Sequence, residues 1–460
     1  WLPQHRNWLA FTGCLLGFAY SLFFRYEGMW GDYTVRLAPR WHPTSETLLL
    51  NRGTSNQEVL PVEQRLQSIE QVSWSGFRGN ERRGITNTAD LETDWLKHPP
   101  QEQWRIEIGP GWSSFAVAGD LLFTQEQRGD DECVTCYDAK SGKEIWIHKD
   151  QTRLNDPLGG PGPRATPTLH NGRLYTLGST GIFLCLDPVN GEILWQVNIP
   201  KDVGREVPMW GFCASPLPIG DQLIIHASDS SEQDVFAYRA SNGELLWTSS
   251  AGEHSYSSPQ KMNLDDKQYV AILTDEGLAI LAPGNGEVVL NYTWPHRGYR
   301  ALQPCFIGNN QVLLPTGMGT GTRLIQIDKV ADNWNVQEVW TTKNLKPDFN
   351  DLLVHQGKIF GFDDSIFTCI DLETGERKWK RGRYGKGQSL LLAEDNLVMV
   401  LTEQGAVVVL DADSQTHKEL ASMQMLNGKT WNHPVFIGDR LYLRNSKEAA
   451  CYVLPKKDRP

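Results

Sequence analysis

The sequence predicts an all-β fold: an eight-bladed β-propeller closed by an N-terminal strand and preceded by one transmembrane helix. Three observations lead to this prediction: a turn phrase that recurs along most of the chain, a count of strands that closes at eight sheets, and one uncharged stretch near the N-terminus. The 460 residues are 40% hydrophobic, enough for a packed core, and 42 Gly with 25 Pro suit many short strands joined by tight turns.

The uncharged stretch is the first element of the chain. It covers 17 residues from Trp8 to Phe24 and is flanked by Arg6 and Arg25. As a helix it would span about 25 Å, slightly less than the ~30 Å hydrocarbon core of a bilayer, and the flanking arginines can snorkel. No A-x-A-like cleavage site follows, so residues 1–27 are predicted to be a membrane anchor rather than a cleaved signal peptide. Because the chain does not begin with Met, further spans upstream remain an open alternative.

A connector follows the predicted anchor. Residues 28–100 have a mixed composition broken by prolines, and we expect them to pack partly on the domain that they lead into. Pro43-Thr-Ser-Glu46, which precedes three leucines, is typical of a short helix, and a second helical pattern runs from Val62 to Val72. The remaining residues, 101–460, are assigned to the propeller.

The most informative feature is a phrase that recurs from about residue 101 onward. An apolar strand ends at Asp, a Gly follows four residues later, and a Trp follows four residues after the Gly; one copy has Arg in place of Asp. The carboxylate can accept hydrogen bonds from turn amides, the Gly supplies a positive φ, and the Trp on the next strand can pack against a neighbouring sheet. A hairpin repeated at this period indicates stacked blades. The copies end at Trp146, Trp195, Trp247 and Trp379.

Counting strands gives eight sheets. Inner strands can be aligned at eight positions, but outer strands follow only seven of them. The segment Gln101–Ile108 lies just before the first sheet, and its Trp104 has the outer-strand pattern. We therefore expect this N-terminal strand to complete the last blade, which removes the free edge of the ring. The aligned inner strands begin near Ser113, Ala165, Ala214, Ser257, Leu302, Asn350, Gln388 and Asn432.

Composition argues against two classes of function. The chain has 44 Lys and Arg against 55 Asp and Glu, a formal net charge of -11, and no basic tract offsets it, so no nucleic-acid partner is predicted. Cys133-x-x-Cys136 is the only metal-like spacing, but residues three apart on a strand point to opposite faces, so no metal site is predicted. Cysteines of the repeat share their position with Ala, Ile and Val, which indicates a buried apolar slot.

The Asp-x-x-x-Gly-x-x-x-Trp phrase resembles the tryptophan-docking motif of the PQQ-type, quinoprotein dehydrogenase-like eight-bladed propellers. The resemblance covers about residues 72–455, and Trp74-Ser-Gly-Phe-Arg-Gly79 with Arg83-Gly84 is similar to the start of bacterial membrane-anchored PQQ-like repeat proteins. The resemblance implies a propeller on the extracytoplasmic (periplasmic) side of a bacterial membrane. It leaves the activity open, because the superfamily includes dehydrogenases that use pyrroloquinoline quinone (PQQ) with calcium and also non-catalytic scaffolds.

The sequence departs from the dehydrogenase pattern in three ways. It has no adjacent Cys-Cys pair to stack on a quinone, its blades span only 39 to 52 residues between outer-strand positions, and no Glu, Asn and Asp calcium set can be assigned. The expected function is therefore a membrane-tethered, non-catalytic binding or scaffold module, with no catalytic residue and no metal ligand. The alternative is a PQQ-dependent dehydrogenase-like oxidoreductase, for which PQQ with calcium would be the cofactor.

A candidate binding site lies in the loops that join each outer strand to the next inner strand, because these loops open around the channel of a propeller. Here they are rich in aromatic and cationic residues, which suit a planar or anionic ligand or an unidentified protein partner. The opposing interpretation is that these side chains only plug the channel. Asp351 and His433 are the only candidates for a base in the dehydrogenase alternative. The predicted funnel consists of Trp112, Arg164, Trp210, Arg300, Asp351, Lys386, Trp431 and His433.

Overall fold

The computed structural model describes residues 3–51, 60–227, 233–252, 254–331, 333–413 and 415–457. Within these ranges, eight antiparallel sheets with four propeller strands each follow one another along the chain, and each sheet is one blade. The predicted eight-bladed propeller is confirmed. Strands are named A to D from the central channel to the outer edge of each blade.

The first four blades are formed by consecutive strands. Their strands A to D are Ala116–Ala118, Leu121–Arg128, Asp131–Asp138 and Glu144–Gln151 in blade 1; Thr168–His170, Arg173–Leu177, Ile182–Leu186 and Ile193–Asn198 in blade 2; Leu217–Ile219, Gln222–His226, Val235–Arg239 and Leu245–Ser249 in blade 3; and Gln260–Leu264, Lys267–Leu273, Gly277–Leu281 and Val288–Thr293 in blade 4.

The last four blades follow the same order, except that blade 8 takes its outer strand from the start of the propeller. The strands are Cys305–Gly308, Gln311–Thr316, Gly321–Val330 and Asn333–Thr342 in blade 5; Leu353–His355, Lys358–Asp363, Ile366–Asp371 and Arg377–Arg383 in blade 6; Gln388–Leu392, Leu397–Leu401, Ala406–Asp411 and Glu419–Gln424 in blade 7; and Val435–Ile437, Arg440–Arg444, Glu448–Val453 and Gln101–Glu107 in blade 8.

The ring closes as the strand count predicts. Strand Gln101–Glu107 pairs antiparallel with Glu448–Val453, and Trp104 lies opposite Cys451. The same register holds within blade 1, where the docking Trp146 lies opposite Cys136. The four repeat cysteines are fully buried, which confirms the apolar slot, and burial raises the pKa of the Cys451 thiol to about 11.

Each docking tryptophan joins its blade to the turn of the next one. The Trp146 Nε1 atom donates a hydrogen bond to Pro188 O at 3.0 Å, and a Cβ atom added to Gly191 would lie 2.5 Å from the Trp146 ring. Gly191 has φ 78°, so the turn needs glycine both for its backbone and for the space that the ring fills. The same pair of contacts is made by Trp104, Trp195, Trp247 and Trp340.

Trp379 departs from this pattern. Its Nε1 atom has no hydrogen-bond partner among the described residues. The carbonyl that would accept it, Ala412 O, accepts instead from Lys358 Nζ at 2.7 Å. At the junction between blades 6 and 7, the Lys358 ammonium therefore takes the place of the indole as the donor to the turn carbonyl, and Trp379 contributes only ring packing.

The N-terminal helix forms over Pro3–Phe23, but the transmembrane span expected within residues 1–27 is not supported. Of the residues that the structure describes, none belongs to a helix long and apolar enough to cross a membrane. The sequence gives the reason, because the helix begins with the polar residues Gln-His-Arg-Asn and ends where a strand begins at Phe24. That strand, Phe24–Met29, pairs with Val35–Pro39 to form a hairpin, here called the N-terminal hairpin.

The connector contains both predicted helices, at Ser45–Asn51 and Val62–Ile69, whereas residues 52–59 lie outside the described part of the chain. It packs on the propeller as expected: the Arg65 guanidinium donates to Val189 O at 2.8 Å, and Glu46 forms an ion pair with Arg153 at 2.8 Å. The connector therefore lies against blades 1 and 2.

Two short strands place the end of the connector inside the ring. Val72–Trp74 adds to strand A of blade 1, and Ile85–Thr86 pairs in parallel with strand A of blade 7. The residues between them, 75–84, therefore cross the central channel. They are called the channel segment below.

Candidate functional site

The loops from each strand D to the next strand A surround a cavity of about 230 Å³ at one end of the channel. On the side of blades 1 and 8, the ring centroids of Trp112 and Trp431 lie 4.8 Å apart, and Phe349 lies 4.9 Å from Trp431. On the side of blades 3 to 5, Trp210 contacts Tyr256 at 4.9 Å and Tyr299 at 4.0 Å. The cavity therefore lies between two aromatic walls, and it is called the funnel below.

Seven of the eight residues expected in the funnel line it, and Arg300 does not. The Arg300 side chain is only 1% exposed, and its guanidinium donates to Trp294 O at 2.6 Å and to Thr316 Oγ1 at 3.0 Å. Its charged group also lies 4.9 Å from the centroid of the Trp294 ring. Arg300 thus ties the loops of blades 4 and 5 together. The seven lining residues are Trp112, Arg164, Trp210, Asp351, Lys386, Trp431 and His433.

The two cations that line the walls already have partners. Arg164 forms an ion pair with Asp156, and its guanidinium also donates to Gly160 O at 2.8 Å. Lys386 forms an ion pair with Asp348. Because these pairs are internal, the funnel presents less net positive charge to a ligand than the sequence alone predicts. Its walls suit an aromatic group better than a polyanion.

The floor of the funnel is a buried polar cluster. Asp351 Oδ2 lies 3.7 Å from Arg78 Nε and 3.9 Å from His433 Nε2. Burial raises the pKa of the Asp351 carboxyl, and the Arg78 charge opposes this effect. Burial and the Arg78 charge hold the pKa of His433 well below its ordinary value, so this imidazole is neutral at pH 7. The two candidate bases therefore meet, but one is committed to an ion pair and the other is a weak proton acceptor.

The floor also contains a residue that the sequence did not nominate. Phe77 of the channel segment lines the funnel from below, and its ring contacts His433 edge-on at 5.2 Å. Tyr256, Tyr299 and Phe349 were missed as well, although they too lie in loops that join a strand D to the next strand A. Their position in those loops was the available signal.

The N-terminal hairpin covers one side of the mouth of the funnel, which the sequence did not predict. Its residues Met29, Trp30, Gly31 and Tyr33 line the cavity. A Cβ atom added to Gly31 would lie 2.0 Å from the Cγ atom of Lys386, so a larger residue would displace the contact. The hairpin is thus fitted closely to the loops of blade 7.

Ion pairs and hydrogen bonds hold the hairpin in place. Glu27 pairs with Lys447 of blade 8 at 3.0 Å, and the Tyr26 hydroxyl donates to Pro157 O at 2.5 Å. Although burial acts to raise it, the pKa of Glu27 is lowered, because Arg25 and Lys447 donate hydrogen bonds to its carboxylate. The hairpin therefore spans the mouth from blade 8 to the loop before blade 2.

A lysine lies between the hairpin and the aromatic wall. Lys429 Nζ is 4.0 Å from the centroid of the Trp431 ring and 4.9 Å from that of Trp112. It donates to Leu158 O at 3.2 Å, and burial lowers its pKa to about 8.

PQQ with calcium does not fit the residues of the funnel. Calcium takes about six to eight oxygen ligands. The carboxylates Asp156, Asp348 and Asp351 each face a cation, and no group of three or more His, Cys, Asp or Glu in the described ranges could hold a metal ion. The single thiol that lines the funnel, Cys213, has no adjacent cysteine.

Comparison with known proteins agrees with this architecture. A family model described as outer membrane protein assembly factor BamB matches residues 130–381, more than half of the chain. The chain belongs to this family. The PQQ-type resemblance of the repeats is thereby confirmed.

A curated relative with the same description, from Burkholderia pseudomallei (strain K96243), is 25% identical over 195 residues. The match covers 42% of this chain and 43% of the relative, so the chain spans less than half of the length of that relative.

Solved structures share the fold. The crystal structure of BamB from Moraxella catarrhalis is 14% identical and superposes with a TM-score of 0.54, covering 77% of this chain and 100% of that chain. Quinohemoprotein alcohol dehydrogenase from Comamonas testosteroni is 11% identical, with a TM-score of 0.61 over 87% of this chain and 85% of that chain. At these identities the likeness concerns the fold alone.

Proposed function

We propose that this chain is an extracytoplasmic binding propeller that acts as a non-catalytic scaffold, and that its funnel receives an aromatic side chain of a protein partner. The observation that carries the proposal is the pair of aromatic walls, whose lining cations, Arg164 and Lys386, are paired within the protein. The family description, an outer membrane protein assembly factor, supports a protein partner.

The hairpin is part of the proposed binding event. A partner segment that reaches the Trp431 side of the funnel has to move the hairpin aside, because Gly31 packs on the loop of Lys386 there. The hairpin itself presents Trp30 to the cavity. An aromatic residue of the partner would therefore replace contacts that the chain makes with its own N-terminus.

The proposal also places the N-terminal helix against a membrane. Its side chains Trp8, Phe11, Leu15, Phe18 and Leu22 recur at helical spacing along one face, and each is at least 54% exposed. Such a stripe is a favourable contact for lipid at the bilayer interface, where a helix does not have to span the membrane.

Photocrosslinking tests the protein partner. A photoreactive phenylalanine analogue replaces Tyr299 in the funnel wall and, as a control, Leu194 on strand D of blade 2, where the side chain is 49% exposed. The proposal predicts a discrete adduct from position 299 that is lost with Trp431→Ala and absent at position 194. Equal adducts at both positions, or no adduct at position 299, would reject it.

A dehydrogenase is the second candidate, and one observation favours it: Asp351 and His433 meet at the floor of an aromatic cavity. Titration of the full chain with PQQ and calcium up to about 50 μM, followed by absorbance and by alcohol oxidation, separates the two candidates. The scaffold proposal predicts neither binding nor turnover. Saturable binding with substrate oxidation would establish the dehydrogenase and overturn the scaffold.

A further inference from the structure

The channel segment borders a second cavity, of about 340 Å³, at the end of the channel opposite the funnel. Phe77, Gln303 and Asp351 line both cavities, so these side chains separate the two halves of the channel. The second cavity is lined mainly by the channel segment and by residues in or next to strands A of blades 2 to 5. The proposed function makes no use of it.

Arg82 brings to this cavity a buried charge that has no direct ion-pair partner among the described residues. Its side chain is 8% exposed, and its two terminal nitrogens donate to Pro216 O at 2.9 Å and to Ser215 O at 3.0 Å. Its Nε atom has no partner, and no carboxylate of the described residues lies within ion-pair distance of it. Burial lowers the pKa of this guanidinium to about 9. Arg78, in contrast, has Asp351 as its counter-ion.

Two exposed cations stand beside Arg82 in the lining of the same cavity. Arg83 and Lys261 are both solvent-exposed, and neither forms an ion pair with another described residue. Partial burial lowers the pKa of Lys261. The Glu81 carboxylate acts to raise this pKa, and the Arg82 charge acts to lower it further. These side chains therefore act on one another across the cavity.

The charges of the lining do not balance. Four cations, Arg78, Arg82, Arg83 and Lys261, face two carboxylates, Glu81 and Asp351, so the cavity carries a net charge of about +2. The whole chain, in contrast, carries -11. A local positive site in an acidic protein attracts small anions and orients them.

We propose that this cavity binds a small oxyanion, either a phosphate or a carboxylate group, against Lys261 and Arg83 with Arg82 as the buried counter-charge. The donors of arginine and lysine form charge-assisted hydrogen bonds with both kinds of group. The site is distinct from the funnel, because Phe77, Gln303 and Asp351 lie between the two cavities.

Isothermal titration of the full chain with inorganic phosphate, and separately with succinate, tests the proposal and distinguishes the two oxyanions. Lys261→Gln and Arg83→Gln are expected to weaken binding at least about tenfold each, since each removes one charge-assisted contact. Glu81→Gln is expected to tighten binding several-fold, because it removes the repulsive carboxylate at the mouth. These exposed positions leave the buried Arg82 contacts intact.

Lys143→Gln is the matched control, because Lys143 is an exposed lysine on the outer turn of blade 1 that forms no ion pair with another described residue. It is expected to bind like the unaltered chain. Saturable binding of phosphate or succinate that responds to Lys261, Arg83 and Glu81 in these directions supports the site. No saturable binding of either anion, or binding that these three substitutions do not change, overturns it, whatever the result at the funnel.

Discussion

Gly31 of the N-terminal hairpin and Trp431 of the last blade share one hydrogen-bond acceptor. The Gly31 amide and the Trp431 indole both donate to Oε1 of Glu403, at 2.5 and 2.8 Å. One carboxylate oxygen therefore links the cover of the funnel to its aromatic wall. A substitution in the hairpin at Gly31 is therefore expected to affect the Trp431 wall, and a substitution at Trp431 is expected to affect the hairpin.

Gly31→Ala is expected to release the hairpin without unfolding the propeller, because the added Cβ atom would meet Lys386 at 2.0 Å. Amide hydrogen exchange in residues 24–39 should become about tenfold faster or more, while exchange in the blades stays unchanged. Gly13→Ala in the N-terminal helix, where a Cβ atom meets nothing within 4 Å, is the control. Unchanged exchange in residues 24–39 of the Gly31 variant would show that the hairpin is not held by this contact.

Lys429 is expected to make the stability of the protein depend on pH. Burial lowers its pKa in the folded protein to about 8, whereas the ordinary value is 10.5, so the folded state gains relative stability as pH rises from about 8 toward 10.5. Below pH 8 the lysine is charged in both states, and the full cost of burying the charge is present.

Urea unfolding at about pH 7.5 and about pH 9.5 measures this effect. Lys429→Met keeps the packing against the two tryptophans and removes the titration, so the variant should gain less stability over this interval than the unaltered chain. Other groups, such as Arg82, titrate in both proteins. Their contribution cancels when the change in the free energy of unfolding between the two pH values is compared between the variant and the unaltered chain. An identical gain in the two proteins would contradict the assigned pKa.

The loss of stability on replacing a turn glycine by alanine should depend on whether a tryptophan ring packs against that glycine. Gly191→Ala is expected to lower the free energy of unfolding by about 2–4 kcal/mol, because it combines a positive φ of 78° with a clash against Trp146. Gly172→Ala is a matched control: φ is 72°, but no atom lies within 4 Å of the added Cβ, so about 1–2 kcal/mol is expected. Equal urea midpoints for the Gly191→Ala and Gly172→Ala variants would show that the contact with Trp146 adds nothing to the cost of the substitution.

Much of the fold could be predicted because the repeat encodes both a turn and a contact. The phrase that ends at Trp146 specifies a hairpin locally and a blade junction at a distance, so the eight blades and their closure by Trp104 followed from the sequence. The positions of the funnel loops followed from topology. The direction of the Arg300 side chain could not be predicted, because it depends on the carbonyl groups of Thr274 and Trp294, which follow strands B and D of blade 4.

The hairpin could not be predicted for a similar reason. The contact between Gly31 and Glu403 joins residues 372 positions apart, and neither residue belongs to a repeated phrase. The expected transmembrane span rested on the absence of formal charge over 17 residues, but the helix that forms also contains uncharged polar residues, which lower its hydropathy.

Two docking tryptophans should respond differently to loss of the indole nitrogen. Trp104→Phe removes a hydrogen bond to Ala139 O and is expected to destabilise the protein by about 1 kcal/mol more than Trp379→Phe, whose indole has no acceptor in the described structure. The urea midpoints of the two variants provide the measurement. A larger loss for Trp379→Phe would contradict the assigned role of the turn carbonyl.

The proposed function depends on the funnel accepting an aromatic side chain, and binding of a blocked Gly-Trp-Gly peptide measures this most directly. Isothermal titration should show saturable binding to the full chain, tighter binding to the Gly31→Ala variant with its released hairpin, and none to Trp431→Ala. Blocked Gly-Ala-Gly should bind to none of the three. Equal affinity of Gly-Trp-Gly for all three proteins, or no binding even with the hairpin released, would contradict an aromatic binding site in this funnel.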